Sequence, residues 1–397
     1  MGEPHLRSAG LHLAVALDGA GWHPASWREP DARPRDLLTA GYWADLVTEA
    51  ERGLLDLVTI EDALDSPPPG VHGLLDAVLV AARVAPLTRH IGIVPTQVVT
   101  HTEPFHASKA IATLDYVSTG RAGVRVRISH RPDEAALFGR RAMPEGLLAD
   151  ADGLADLFNE AADYVEVLRR LWDSWEDDAE IRDAATGRFV DRDKLHYIDF
   201  EGAHFSVRGP SITPRPPQGQ PVVAALAHRD VAFRLVGRSA DVGFVRPRDA
   251  ADAAAILATV RAEQDAAGRG GETVHVLGDV VVFLDGSAAA AAERKERLDG
   301  LLGRDQSGHE YVSDAHVFVG TPAELADLAL EWQAAGLSGL RLRPGTLPVD
   351  LAQITRGLVP ELQRRGAFRT GYEADTLRGL LGLARPANRY AATAGAV

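Results

Sequence analysis

Cysteine is absent from this chain of 397 residues, and methionine occurs only twice. Without cysteine there is no disulfide framework, no thiol nucleophile and no thiolate metal site. No apolar run approaches the ~18 residues that a membrane-spanning helix needs, so no membrane partner is expected. The opening stretch MGEPHLRSAG lacks a basic segment followed by an apolar one, so no secretory signal is expected and the default location is the cytoplasm. Positive charge is in deficit, with a formal net charge of −14. That excludes a broad nucleic-acid-binding face but leaves room for a few arginines to hold a small anion. Catalytic signatures are missing too: there is no HExxH, no GxSxG, no P-loop and no Rossmann glycine fingerprint. His101, His130 and His228 show no metal-ligand spacing, so no metal is expected.

What is present is an alternation. Short apolar runs at 11–17, 55–60, 90–94, 123–128, 221–226, 241–245, 274–284 and 340–343 are bounded by Gly, Pro or charge. Continuous apolar runs of this length suit strands covered on both faces, as in a parallel sheet. Between them, 35–52, 103–118, 157–175 and 321–335 carry apolar residues at helical spacing, the last with a Thr-Pro start. Eight strands alternating with helices predict an α/β fold, a TIM (β/α)8 barrel, with a doubly wound open sheet as the alternative. The chain reads as a single domain over 1–397, with insertions at about 176–220 and 285–318, after the fourth and seventh strand–helix units.

In a barrel, function gathers at the carboxyl ends of the strands. That rule selects Glu61 and Asp62, then Thr96 and His101, then Arg125, Arg127 and Ser129, then Ala227, His228 and Arg229, then Arg246 and Arg248. Arg125 and Arg127 share one face of their strand. Arg229 heads a helix, where a guanidinium opposes the helix dipole unless an anion is present. Each of these residues also has an ordinary structural role open to it, as a turn cap or an ion-pair partner. Trp22, Trp27 and Phe138 stand in flanking loops, where they could line the mouth or pack a lid.

Further residues carry a resemblance. They are Tyr42-Trp43, Ala50-Glu51-Arg52-Gly53, Glu103-Pro104-Phe105, the run from Ala112 to Asp115 with Ser118-Thr119-Gly120-Arg121, Leu171-Trp172-Asp173-Ser174-Trp175, Pro214-Arg215-Pro216-Pro217-Gln218-Gly219 and Val359–Gly366. In these the chain resembles the bacterial luciferase-like flavin-dependent monooxygenases, in the branch that acts on nitrilotriacetate, EDTA and dibenzothiophene sulfone. The resemblance implies a homodimeric TIM barrel. It would accept reduced FMN from a separate flavin reductase and use oxygen to oxygenate a small organic substrate. It implies a flavin pocket lined by Asp62, Thr96, Arg125, Ser129, Phe158, Ala227, His228 and Arg229, and assigns no catalytic residue.

The chain departs from the family pattern inside that pocket. Arg125 stands where the family has Asn, Ile128 where it has Thr, and Leu157-Phe158 where it has Arg-Tyr. The phosphate loop, Ala-Gly-Xaa-Ser-Xaa-Xaa-Gly in the family, reads Leu226-Ala227-His228-Arg229-Asp230-Val231-Ala232 here. Glycine lets backbone amides approach a phosphate closely, and without it Arg229 either replaces that cradle with a charge-assisted bond or fills the phosphate space itself. The departures keep two alternatives open: a deazaflavin in place of FMN, and a flavin-free relative acting as a binding or partner protein.

Overall fold

The structure, a computed structural model, describes residues 10–64, 73–302 and 310–391. The first nine residues, on which the expectation of no signal segment rests, and residues 303–309 of the second expected insertion lie outside the described residues. All eight expected strands form: β1 (His12–Leu17), β2 (Leu57–Ile60), β3 (Gly92–Val98), β4 (Gly123–Arg127), β5 (Val222–Ala227), β6 (Val242–Val245), β7 (His275–Leu284) and β8 (Gly339–Pro344). They pair in parallel in the order β6-β5-β4-β3-β2-β1-β8-β7, and β6 pairs with β7 to close the ring. The apolar runs read as strands because each is buried on both faces, by the barrel interior and by the surrounding helices.

Helices follow the strands on the outside: α1 (Ala40–Arg52), α2 (Ala77–Val84), α3 (Pro104–Val117), α4 (Pro132–Phe138), α5 (Ala151–Asp173), α6 (Asp230–Ser239), α7 (Ala250–Ala266), α8 (Ala288–Asp299) and α9 (Pro322–Ala334). Local chemistry sets their bounds. The helix expected over 35–52 begins only at Ala40, because the Thr39 side chain accepts from the Tyr42 amide and caps it there. The one expected over 157–175 begins six residues earlier, at Ala151, where Asp150 serves as cap. Thr321 and Glu324 form a reciprocal capping box at the start of α9. Among the described residues, no helix is long and apolar enough to cross a membrane.

Two small antiparallel ladders, Glu180–Asp183 with Arg188–Val190 and Phe200–Glu201 with Ser206–Val207, occupy the stretch between α5 and β5. After α8, the short strand His316–Gly320 pairs with the upper half of β7, from Val280 to Leu284. The lower half of β7 serves the barrel, pairing with β6.

Several residues that carry the resemblance are framework. Arg121 is buried and donates to Thr88 Oγ1 and to the carbonyls of Ile91, Ala85 and Thr88. Asp115 accepts from the Ala122 amide and from both the amide and the side chain of Gln218. Arg215 is held by Asp173 and Asp177. These contacts fix the loops that enter β4 and β5 from below. The bottom of the barrel is largely apolar, with Leu57, Val94, Val222, Val242 and Leu277 covered by Leu377 and Leu381 from the C-terminal stretch, and with the buried rings of His12 and His275 packed edge to face at the strand starts.

The seam between β1 and β8 depends on Gly339. Its φ is +155°, and a Cβ there would lie 1.8 Å from the His12 carbonyl oxygen. Gly339→Ala is expected to lower stability by more than about 3 kcal/mol, through steric overlap at a strand junction that has no room to relax. Denaturant unfolding checks this, and a loss under about 1 kcal/mol would show that the seam shifts freely.

Candidate functional site

Strand alternation decides what the barrel holds above its apolar floor. Thr59 on β2 and Glu61 just past its end, Thr96 on β3, Arg125 on β4, Asp279 on β7 and Arg341 and Arg343 on β8 meet inside. Asp279 accepts from Arg341 Nη1 at 3.0 Å and pairs also with Arg343. Arg341 reaches on to Thr59 Oγ1 at 2.9 Å and to Glu61, and it lies over the Phe244 ring at 4.7 Å. Glu61 pairs on its other side with Arg125, whose Nε donates to Thr96 Oγ1 at 3.0 Å. The upper barrel core is therefore a continuous chain of ion pairs, with Arg341 and Asp279 fully buried.

Its electrostatics follow from that burial. Burial alone pushes Glu61 up, but the guanidinium groups of Arg125, Arg341 and Arg343 override it and hold Glu61 down at about 2. Burial lowers Arg125 to about 10, against the pull of Glu61, so it stays charged at neutral pH. Asp18, at the end of β1, goes the other way: burial and then the charge of Glu61 raise it from 3.8 to about 6.

Above this layer lies a cavity of about 360 Å³ at the carboxyl ends of the strands. One side is apolar, formed by Ile128, Leu148, Leu154, Phe158 and Leu226; the other carries Arg125, Arg229 and Arg343, with Trp22 and Asp314 at the rim. Arg229 is the N-cap residue of α6 and no side chain caps that helix. Its guanidinium is exposed and makes one long contact, 3.5 Å to the Leu148 carbonyl. His228 beside it is surface-accessible, yet partial desolvation and then the charges of Arg246 and Arg229 lower it to about 4, so it is neutral at pH 7. A larger cleft of about 1000 Å³ lies between α5, α6 and the C-terminal stretch. Its arginines are tied up in ion pairs, Arg169 and Arg378 with Asp241 and Arg389 with Glu166, and it sits at the opposite end of β6.

The structure brings Arg125, Ser129, Phe158, His228 and Arg229 together on the cavity wall. Thr96 stands behind Arg125 and fixes its Nε. Ser129 is buried, with its hydroxyl 3.2 Å from His101 Nε2, and the His101 ring stacks on Phe138. Asp62 and Ala227 do not line the cavity. The Asp62 carboxylate accepts from the Ala77 amide at the start of α2, while its backbone carbonyl accepts from Arg127. Ala227 is buried beneath the turn into α6. Sequence reasoning did not select Asp18, Asp279, Asp314, Arg341 or Arg343. For the two arginines a signal was present: 340–343 reads Leu-Arg-Leu-Arg, the same period-two pattern as Arg125 and Arg127.

A model of the luciferase-like monooxygenase family matches residues 21–307. The N-acetyl-S-(2-succino)cysteine monooxygenase of Bacillus subtilis (strain 168) is 32% identical, over 96% of this chain and 98% of its own. Component A of the nitrilotriacetate monooxygenase of Aminobacter aminovorans is 31% identical over the same shares. A solved riboflavin lyase, with modified FMN and riboflavin, superposes with a TM-score of 0.81 at 25% identity, covering 94% of this chain and 96% of its own.

The raised Asp18 carboxyl ties stability to pH. The folded chain binds this proton more tightly than the unfolded chain, so the carboxyl costs stability as pH rises from about 4 through 6. Asp18→Asn is expected to be up to about 3 kcal/mol more stable than the parent at pH 8 and nearly equal to it at pH 4. Urea melts at the two pH values measure this; a variant equally or less stable at pH 8 contradicts the assignment.

Proposed function

Because the chain belongs to the luciferase-like monooxygenase family, we propose that it is the oxygenating component of a two-component system. It accepts reduced FMN from a separate flavin reductase in the cytoplasm and uses O2 to oxygenate a small organic substrate. The observation that carries this reading is the cavity itself, apolar on one wall and opening onto an uncapped helix start headed by Arg229.

The residues present fit a flavin mononucleotide. The volume is at the lower end for a cofactor-sized site, and the wall of Ile128, Phe158 and Leu226 offers a dry surface to a flat ring. The phosphate end falls to the first turn of α6, where the dipole and free amides favour an anion. Arg229 supplies the charge there, and neutral His228 supplies a hydrogen bond. The guanidinium takes over what the glycine-rich turn does in the family pattern. Bound reduced flavin supplies the electrons that activate oxygen. The chain's own part is to orient that ring, to exclude water with Phe158 and Ile128, and to hold Arg125 fixed between Glu61 and Thr96 beside it.

Reduced FMN added anaerobically at about 100 times its Kd is expected to stabilise the fold by about 2.7 kcal/mol, seen as a rise in Tm of several degrees. Arg229→Gln is expected to weaken that binding about tenfold or more, the loss of one charge-assisted contact. No rise with FMN, FAD or a deazaflavin, oxidised or reduced, would favour the flavin-free alternative.

A homodimer belongs to the same proposal. Leu75 and Leu79 are exposed around an apolar groove of about 210 Å³ between α1 and α2, floored by Trp43 and Val80. An apolar patch of this kind suits a second copy of the chain, whose matching patch would cover it. Sedimentation is expected to give a dimer that Leu79→Glu splits into folded monomers; a monomeric parent would remove this part of the proposal.

A further inference from the structure

The three guanidinium groups of the charged layer beneath the cavity differ in what they leave open. Arg341 commits Nε and both terminal nitrogens to Thr59, Asp279 and Glu61. Arg343 commits both terminal nitrogens to Asp314 and Asp279, and its Nε is sealed in by protein. Arg125 is held at two points: Nε donates to Thr96 Oγ1 at 3.0 Å, and Nη2 donates to Glu61. Its Nη1 donates to no group among the described residues and, unlike Arg343 Nε, is not sealed in. The side chain is only 4% exposed, yet it lines the cavity. A buried cation is thus clamped in place with one end open to the space above.

Strand register says what that end faces. Arg125 pairs with Ala224 of β5, and Leu226 lies two residues further along β5 on the same face. Leu226 belongs to the dry wall that suits the flavin ring, so Arg125 stands one pleat beneath that wall, at its base. The counter-charge there is divided. Glu61 serves Arg125 and Arg341 together, so it does not neutralise Arg125 alone. A ring lying on the wall would bring its edge to a cation in an enclosed place, where charge is screened far less than in water.

We propose that Arg125 selects the redox form of the bound flavin, its open Nη1 end pairing with the negative charge that the ring carries only when reduced. This rests on the monooxygenase reading above and deepens it by naming the residue that tells reduced FMN from oxidised. The oxidised ring is neutral near neutral pH, whereas the fully reduced ring has largely lost a proton and carries a negative charge on its pyrimidine portion. The phosphate is the same in both forms, so Arg229 holds either and cannot discriminate. Arg125 supplies the difference, because charge beside the ring tunes its electronics. Its clamped orientation between Thr96 and Glu61 removes the need to reorganise when the anion arrives. The Asn of the family pattern can donate a hydrogen bond to either form but has no charge with which to separate them, so the device belongs to this chain. Its consequence for turnover is a cofactor captured when reduced and let go when oxidised.

Oxidised FMN and anaerobically reduced FMN are titrated calorimetrically into the full-length protein and two variants. The parent is expected to hold the reduced form about tenfold more tightly or better, and Arg125→Asn to lose about tenfold of that preference, chiefly through the reduced form. The midpoint potential of bound FMN then falls by about 30 mV in the variant, the two-electron equivalent of a tenfold change. Arg125→Lys, which keeps a charge but not the clamp, is expected to lie between the two. One readout separates this role from a structural one. Reduced FMN bound to the parent is expected to keep the near-ultraviolet absorption of the anion to lower pH than reduced FMN bound to Arg125→Asn. Equal binding of both forms by the parent, or a preference unchanged in Arg125→Asn, would overturn the role of Arg125 and leave the monooxygenase reading standing. The first of these outcomes needs no variant, so a misfolded Arg125→Asn leaves the test intact. Binding of neither form by the parent ends the monooxygenase reading, and the role of Arg125 with it.

Discussion

The contact on which the rest of this structure turns is the sharing of Asp279 between Arg341 and Arg343, continued through Arg341 to Glu61 and through Glu61 to Arg125. It runs across the inside of the barrel and joins β7, β8, β2 and β4. Ion pairs this deeply buried contribute little net stability compared with an apolar core, but losing one partner costs on the order of 3–5 kcal/mol. The arrangement therefore makes the upper barrel intolerant of change more than it makes it stable. It also sets the height of the cavity. The apolar floor lies below the charges and the open space lies above them, so a ligand meets a rigid cationic base.

That base divides the arginines by availability. Arg341 is consumed by Asp279, Glu61 and Thr59 and faces no ligand with a free donor. Arg229 projects from the start of α6 almost unengaged. Arg246 is engaged by Asp314, and Arg343 by Asp314 and Asp279. A chain of strongly negative net charge thus concentrates cations where the proposed ligands are anionic.

Much of the fold was legible because parallel strands buried on both faces leave continuous apolar runs, and all eight were found. Their carboxyl ends then located the mouth. Within the site, what could be read was which residues share a face. Arg125 and Arg127 advertise this by alternation, and Arg341 and Arg343 carry the same signal. Glu61 could have been preferred to Asp62 on the same ground, being in phase with Thr59. What alternation could not supply was the pairing. Arg341 meets Asp279 across 62 residues and Glu61 across 280, and nothing around Asp279 in the sequence distinguishes it. The residues behind the resemblance, among them Asp115, Arg121 and Arg215, bind loops to the barrel. They therefore reported the scaffold with more certainty than they reported the chemistry.

The neutrality of His228 has a consequence of its own. Its imidazole gives up its proton readily because it is partly desolvated and stands in the field of Arg246, Arg229 and Arg343. An anion arriving at any of these arginines cancels part of that field and makes the imidazole more basic. Ligand capture and proton uptake from solvent are then two halves of one equilibrium, each drawing the other forward by the same free energy. The linkage is felt in acidic medium, where the imidazole titrates, and fades at neutral pH.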